Sequence, residues 1–416
     1  MTLDRVLDQF RPGRRIYLPG STGEIHALVE ALAADPERMD GVNVISCLLP
    51  GMNSFDYAGL HKNAQLTTFL FPPGSRESFR AGRVQILPLS YFPAARFIAE
   101  DAELDVAVAH VAPPMPEEGT RASVGIAADF TTISWNAAKK RIAFVNPNMP
   151  AMPRGPRIDL ADADLVVEAE SPLVEVPTGA AGATGQAIAA HVANLIPDGA
   201  ALQVGIGSAP AALWRALRSR RNLRLRSGLA SEDLLMLADV GALGQCDHVA
   251  GILAGSTAFY REVAARDLVR LSDTLETHDA GAIGMEENFV AANSALAVDL
   301  FGQVNLEWQG ARPLSGVGGA PDFASAALVS QGGMGITMLP SRARNGSISR
   351  IVARLDVETV SLPRNLADIV VSEHGIARLR NKSLDARAEA LIAIAHPGFR
   401  DELAGQWCKM RDMMTR

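Results

Sequence analysis

Three glycines in four residues, Gly316-Val317-Gly318-Gly319, lie within the segment Ser315–Phe323, downstream of the apolar stretch Asn293–Asn305. Glycine reaches positive φ and lets a backbone approach a ligand with no Cβ in the way. A run of free N–H groups in such a loop can hold an anion or a developing oxyanion. The bare tetrapeptide also reads as an ordinary tight turn. A second glycine loop, Gly205-Ile206-Gly207-Ser208-Ala209, sits between a strand pattern and a helix pattern. Free amides and the helix dipole at such a junction favour phosphate. No Gly-Lys-Ser/Thr follows, so it is not a Walker loop. Pro210 stands where the dinucleotide fingerprint needs its third glycine. A plain turn fits this loop as well.

Carboxylates are the other reactive candidates. Glu373 follows the strand pattern Asp368–Val371 and precedes His374-Gly375, the position where α/β proteins place ligands. Glu232 lies in Ser231-Glu232-Asp233-Leu234-Leu235, ahead of an apolar helix, and also reads as a first-turn acid favoured by the helix dipole. Glu286-Glu287 read as a solvated structural pair. Other chemistries find little support. There is no Gly-x-Ser-x-Gly elbow. The eight histidines show no His-x-x-x-His pair, and Cys47, Cys246 and Cys408 are scattered singly, so neither a metal site nor a disulfide framework is expected. His110, His191 and His248 read as packing or surface residues.

These candidates must be positioned by an α/β scaffold. Arg15–Leu18 reads as a strand, Pro19–Gly23 as a turn, and Glu24–Ala34 as a helix through Ile25, Leu28, Val29 and Leu32. Ala201–Val204, Gly205–Ala209 and Pro210–Leu217 repeat that order. Aligned without gaps from Gly13 and Gly199, the offset is 199 − 13 = 186 residues, near half of the 416-residue chain, which points to two related halves. Further strands are expected at 42–46, 84–88, 106–109, 141–145 and 368–371, in a largely parallel or mixed sheet. The proline-bearing stretch 146–182 reads as a crossing segment or linker. Ser383 reads as the cap of a helix that His396-Pro397 ends.

The length favours two domains, expected at 1–185 and 186–416, with the glycine loops in the second. Apolar residues at 48% and charged residues at 20% describe a globular chain. A net charge of −7 gives no nucleic-acid footprint. The apolar runs are too short to span a membrane, and no signal-peptide core is seen, so a cytoplasmic location is expected.

Taken together, these residues resemble the acetyl-CoA hydrolase/transferase family of class I coenzyme A transferases, the 4-hydroxybutyrate CoA-transferase branch above all. The resemblance is carried by Leu202–Gly207, Asn293–Asn305, Ser315–Phe323, Val371–Ala377, Lys382–Ala388 and Ile394–Leu403, with Val145-Asn146-Pro147-Asn148-Met149-Pro150 in the first half. It implies two tandem CoA-transferase-like domains and a homodimer. It also implies an acyl-CoA and a small carboxylic acid as substrates, with no permanently bound cofactor. In such enzymes a glutamate attacks the thioester. By resemblance Gly205, Ile206, Gly207, Ser208 and Ala209 contact CoA, Gly318 and Gly319 face CoA and the oxyanion, and Glu373 lies near the CoA thiol.

The chain departs from the family at the nucleophile. The family carries Gly-x-His-Ser/Thr-Glu-Met followed by Ser-Asp-Gly and a helix. An alignment without gaps from Gly205 to Gly241 places Gly228 at the glutamate position. A gapped alternative pairs Ala230-Ser231-Glu232 with His-Ser-Glu, at the cost of an insertion and a compensating deletion. The ungapped register is the more economical. It leaves either Glu232 as the acting carboxylate, or a hydrolase or CoA-binding protein without the covalent route. A second departure is His278, where an asparagine is expected.

Overall fold

The computed structural model describes residues 3–177, 179, 181–343, 346–355 and 359–414. Two compact units form. One comprises Met1–Pro177, Ser227–Glu232 and Asp247–Asp279; the other comprises Thr178–Arg226, Asp233–Cys246 and Ala280–Arg416. The units differ from the sequence halves 1–185 and 186–416 because the chain re-enters the first unit twice. Hydrogen bonds explain the re-entry. Ala128 N–H donates to Gly251 O at 3.0 Å, Leu253 N–H to Ile126 O at 2.9 Å, and Val176 N–H to Gly255 O at 3.0 Å.

The first unit is built on seven strands: β1 (Arg15–Tyr17), β2 (Asn43–Ile45), β3 (Gln65–Thr68), β4 (Val84–Ile86), β5 (Val106–Val111), β6 (Lys140–Val145) and β7 (Leu165–Glu168). Their order is β4-β3-β2-β1-β5-β6-β7, and every neighbouring pair is parallel. Alternating side chains serve two cores. Ile16, Val44, Val106 and Val108 enter one, and Tyr17, Ile45 and Ala107 enter the other. Both faces are covered, as a parallel sheet requires. β7 falls inside the stretch read as a linker from its prolines. Those prolines stop at Pro156 and resume at Pro172, which leaves Leu165–Glu168 free to pair with Ile142–Val145.

The second unit repeats this plan. Its strands are β8 (Ala201–Val204), β9 (Arg224–Ser231, which leaves the unit after Arg226), β11 (Phe289–Ser294), β12 (Met334–Met338), β13 (Ile369–Ser372) and β14 (Gly375–Arg378); β10 (Val249–Ala254) belongs to the first unit. The order runs β9-β8-β11-β12-β13-β14, parallel up to β13 with an antiparallel β14 at the edge. β1 lies between β2 and β5 as β8 lies between β9 and β11. β1 and β8 both begin two residues after a glycine of positive φ, Gly13 at 82° and Gly199 at 75°. The α/β class and the doubled plan read from the sequence are those of the structure. Ser383 caps Leu384–Ile394, its Oγ accepting from Ala386 N–H. Among the described residues, no helix is long and apolar enough to cross a membrane.

The turn after β1 buries a titratable group. Glu24 is 4% exposed, and its Oε1 has no hydrogen-bond partner. Burial raises its pKa to about 7, and Asn53 offsets only part of that. A raised carboxyl pKa means that the folded state binds the proton more tightly than the unfolded state. Its contribution to stability is complete below the unfolded value of 4.5 and is lost as pH rises to about 7. Glu24→Gln should therefore gain stability over the wild type on going from pH 4 to pH 8, by up to ~3 kcal/mol. Urea midpoints across that range test this; a pH-independent difference contradicts it.

Candidate active site

Gly205–Gly207 leave the C-terminal end of β8, and Ser208–Ala216 forms the helix that follows. β8 has β9 on one side and β11 on the other, so the loop opens at the point where strand order reverses, the usual ligand crevice of an open α/β sheet. The glycines are needed for close packing. A Cβ at Gly205 would lie 2.4 Å from Asn293 Oδ1, and one at Gly207 would lie 2.9 Å from Ser294 Oγ at a φ of 136°. Asn293 is itself fixed by a reciprocal amide pair with Gln203, at 2.8 and 3.1 Å. Ile206, Gly207 and Ser208 are exposed, while Ala209 is buried under the helix. No side chain among the described residues caps this helix, whose first amides have no partner within it.

Gly318 and Gly319 precede the helix Ala320–Val329, and Gly319 is its N-cap, again with no side-chain cap. Gly318 has φ of 56° and open space around its missing Cβ. The conformation, not crowding, asks for glycine there.

Glu373 and His374 form the two-residue turn between β13 and β14, which pair through Ser372 and Gly375. Ser341 holds the Glu373 carboxylate with its amide at 2.8 Å and its hydroxyl at 2.7 Å. Burial alone would raise the pKa of Glu373, but the two bonds from Ser341, with His374 alongside, hold it below the ordinary value. Glu373 is thus an anion at neutral pH, with its orientation set.

Glu232 directly follows β9 and directly precedes the helix Asp233–Asp239. Its carboxylate does not serve that helix. Oε1 accepts from Ser256 N–H at 2.8 Å and from the Ser256 hydroxyl. Ser256 is the N-cap of the helix Thr257–Ala265. Gly255 makes room, since a Cβ there would lie 2.6 Å from Glu232 Cγ. Oε2 bonds to nothing among the described residues. A second carboxylate, Glu175, accepts from Thr257 N–H at 2.7 Å at the same helix start. Gly228 lies within β9, three residues before its end, and its carbonyl oxygen would lie 2.8 Å from a Cβ at Gly251.

The remaining candidates are structural. Glu286 bonds Arg226 at 2.7 Å and also bonds Arg224. His278 is 3% exposed, burial lowers its pKa to about 3, and its ring lies 5.1 Å from that of Tyr91. Ser256, Glu175, Asn293, Ser294 and Ser341 were not singled out as site residues from sequence. Only Ser256 carried a local signal, a serine opening a helix pattern.

The family model of the acetyl-CoA hydrolase/transferase C-terminal domain matches residues 255–407, which include Gly318, Gly319 and Glu373. The 4-hydroxybutyrate coenzyme A transferase of Clostridium kluyveri is 31% identical over 98% of this chain and 97% of its own. The chain belongs to the acetyl-CoA hydrolase/transferase family. It is an enzyme of the coenzyme A transferase type. Solved structures of family resemblance include RipA from Yersinia pestis, with a TM-score of 0.90, 26% identity and coverage of 99% and 97% of the two chains. Another is 4-hydroxybutyrate CoA-transferase from Porphyromonas gingivalis, with a TM-score of 0.80, 27% identity and coverage of 98% and 96%.

Ser341→Ala removes one of the two donors to Glu373. The Glu373 titration should move upward, and the stability lost should be present at neutral pH and vanish as pH falls through the Glu373 midpoint. Carbon-detected NMR titration checks the first; an unmoved midpoint contradicts it.

Proposed function

We propose that this enzyme moves coenzyme A between an acyl-CoA and a small carboxylic acid, with Glu232 as the nucleophile. The observation that carries this reading is the anchoring of Glu232 by one oxygen at the end of a strand. Ser256 fixes Oε1, and Oε2 is left without a partner among the described residues. Gly228 has no side chain to offer, and it lies inside the strand. This favours the register that pairs Ala230-Ser231-Glu232 with the family's His-Ser-Glu.

The chemistry follows from the carboxylate. Its free oxygen attacks the thioester carbonyl, the C–S bond breaks, and an acyl-glutamyl anhydride forms with loss of CoA thiolate. The thiolate attacks the glutamyl carbonyl, expelling the first acid as its carboxylate and leaving a glutamyl-CoA thioester. An acceptor carboxylate then repeats the two steps in reverse order and leaves as its own CoA thioester. No proton is consumed, and the activation of the thioester is kept throughout. The amides of Gly205–Ala209 and of Gly318-Gly319 are assigned to CoA and to the oxyanion, and Glu373 to the neighbourhood of the thiol. A homodimer and a cytoplasmic location belong to the same reading, through the family resemblance.

Glu232→Ala should lower acceptor-dependent exchange of label between acetyl-CoA and acetate by roughly a thousand-fold or more. Ser256→Ala should lower it less. Release of CoA by the wild type at a rate indifferent to acetate would make the enzyme a hydrolase. Full exchange by Glu232→Ala would remove Glu232 from the mechanism.

A further inference from the structure

Arg350 is a cation with unused donors beside a cavity. It connects two short strands of the second unit, Ile348–Ser349 and Ile351–Val352. Its backbone is pinned on both sides. Its N–H donates to Ser341 O at 3.0 Å, and its carbonyl accepts from Val298 N–H at 2.9 Å. The side chain is not matched in the same way. Nη1 reaches the carbonyls of Ala295 and Leu296, each at a long 3.4 Å. Nε is buried with no hydrogen-bond partner among the described residues. No carboxylate pairs with Arg350 among the described residues, whereas Arg224, Arg226 and Arg380 of the same unit each hold one. Burial lowers the pKa of the Arg350 guanidinium, in the direction expected of a charge held away from water without a counter-ion.

A cavity of about 330 Å³ opens beside this group, lined by Leu296, Asn305, Trp308, Gln309, Ser349 and Arg350 among others. The Asn305 amide is already committed, its Nδ2 to Trp308 O at 2.6 Å and its Oδ1 to the amides of Glu307 and Trp308. The free charge facing a ligand there would be that of Arg350. The position ties this cavity to the elements described above. Ser341, which accepts from Arg350 N–H, is the residue that clamps Glu373. Ala295, which Nη1 touches, directly follows Ser294, the neighbour of Gly207.

We propose that Arg350 forms an oxyanion subsite in this cavity, receiving through its guanidinium fork either the carboxylate of the acyl acceptor or a phosphate of coenzyme A. The planar fork matches both anions in geometry. The inference rests on the CoA-transferase reading for its choice of ligands, and its test separates the two.

Calorimetry on the full-length enzyme reads the subsite without turnover. Arg350→Gln is expected to weaken one ligand by roughly ten-fold or more, and Arg350→Lys to weaken it less. If CoA weakens and 3′-dephospho-CoA does not weaken further, the anion is the 3′-phosphate; if both weaken alike, it is the diphosphate. If CoA is unchanged and the KM for acetate rises, the anion is the acceptor carboxylate. In the wild type, saturating inorganic phosphate or acetate should shield Arg350 from phenylglyoxal, as read by peptide mass, even if Arg350→Gln does not fold. CoA, phosphate and acetate all behaving as in the wild type, or no shielding by either anion, overturns the subsite. Absence of label exchange in the wild type would instead overturn the transferase reading and leave the binding and shielding results to decide on Arg350.

Discussion

The Ser256 amide and hydroxyl fix one oxygen of Glu232 at the N-cap of the helix Thr257–Ala265. The carboxylate proposed as the nucleophile depends on that pair of bonds. A carboxylate at a strand end is mobile unless something holds it, and an unheld nucleophile loses most of what positioning can supply. The fold provides the holder at some cost in sequence freedom. Gly255 has no Cβ because one would sit 2.6 Å from Glu232 Cγ. Gly251 likewise has none, because one would sit 2.8 Å from the Gly228 carbonyl. Gly228, which an alignment without gaps sets against the family's nucleophile, is therefore placed where backbones approach closely.

The second unit follows the same logic with different groups. Its glycine loop at the end of β8 is shaped by polar side chains from the end of β11, with Gln203 locking Asn293 in turn. Its acidic turn is shaped by Ser341. The loop at Gly205–Gly207, the Glu373 turn and Glu232 are thus each held by a polar neighbour. Arg350 breaks that pattern, with a buried Nε that no atom of the described residues satisfies. Buried polar groups are normally paired, so an exception beside a cavity points to a ligand.

Much of this was legible in the sequence because it depended on local rules. The strand–glycine–helix order at β1 and β8, the 186-residue repeat and the Ser383 cap each rest on a few adjacent residues. The need for glycine at Gly205 and Gly207 was legible; the reason, Asn293 and Ser294 about 90 residues away, was not. Ser341 and Glu373 lie 32 residues apart, and neither marks the other in sequence. The register at the nucleophile stayed ambiguous because an insertion in a strand and a deletion in the next helix cancel in length. The strand Arg224–Ser231 runs eight residues and ends next to Glu232. β7 was obscured by the prolines that flank it.

The central claim is that Glu232 becomes covalently bonded during turnover. The direct measurement is peptide mass mapping of the wild-type enzyme quenched in acid after mixing with acyl-CoA. The account predicts that the peptide containing Glu232 gains the mass of coenzyme A less one water, and that acetate added before the quench discharges it. A gain on another glutamate, or no adduct while label exchange proceeds, would contradict it.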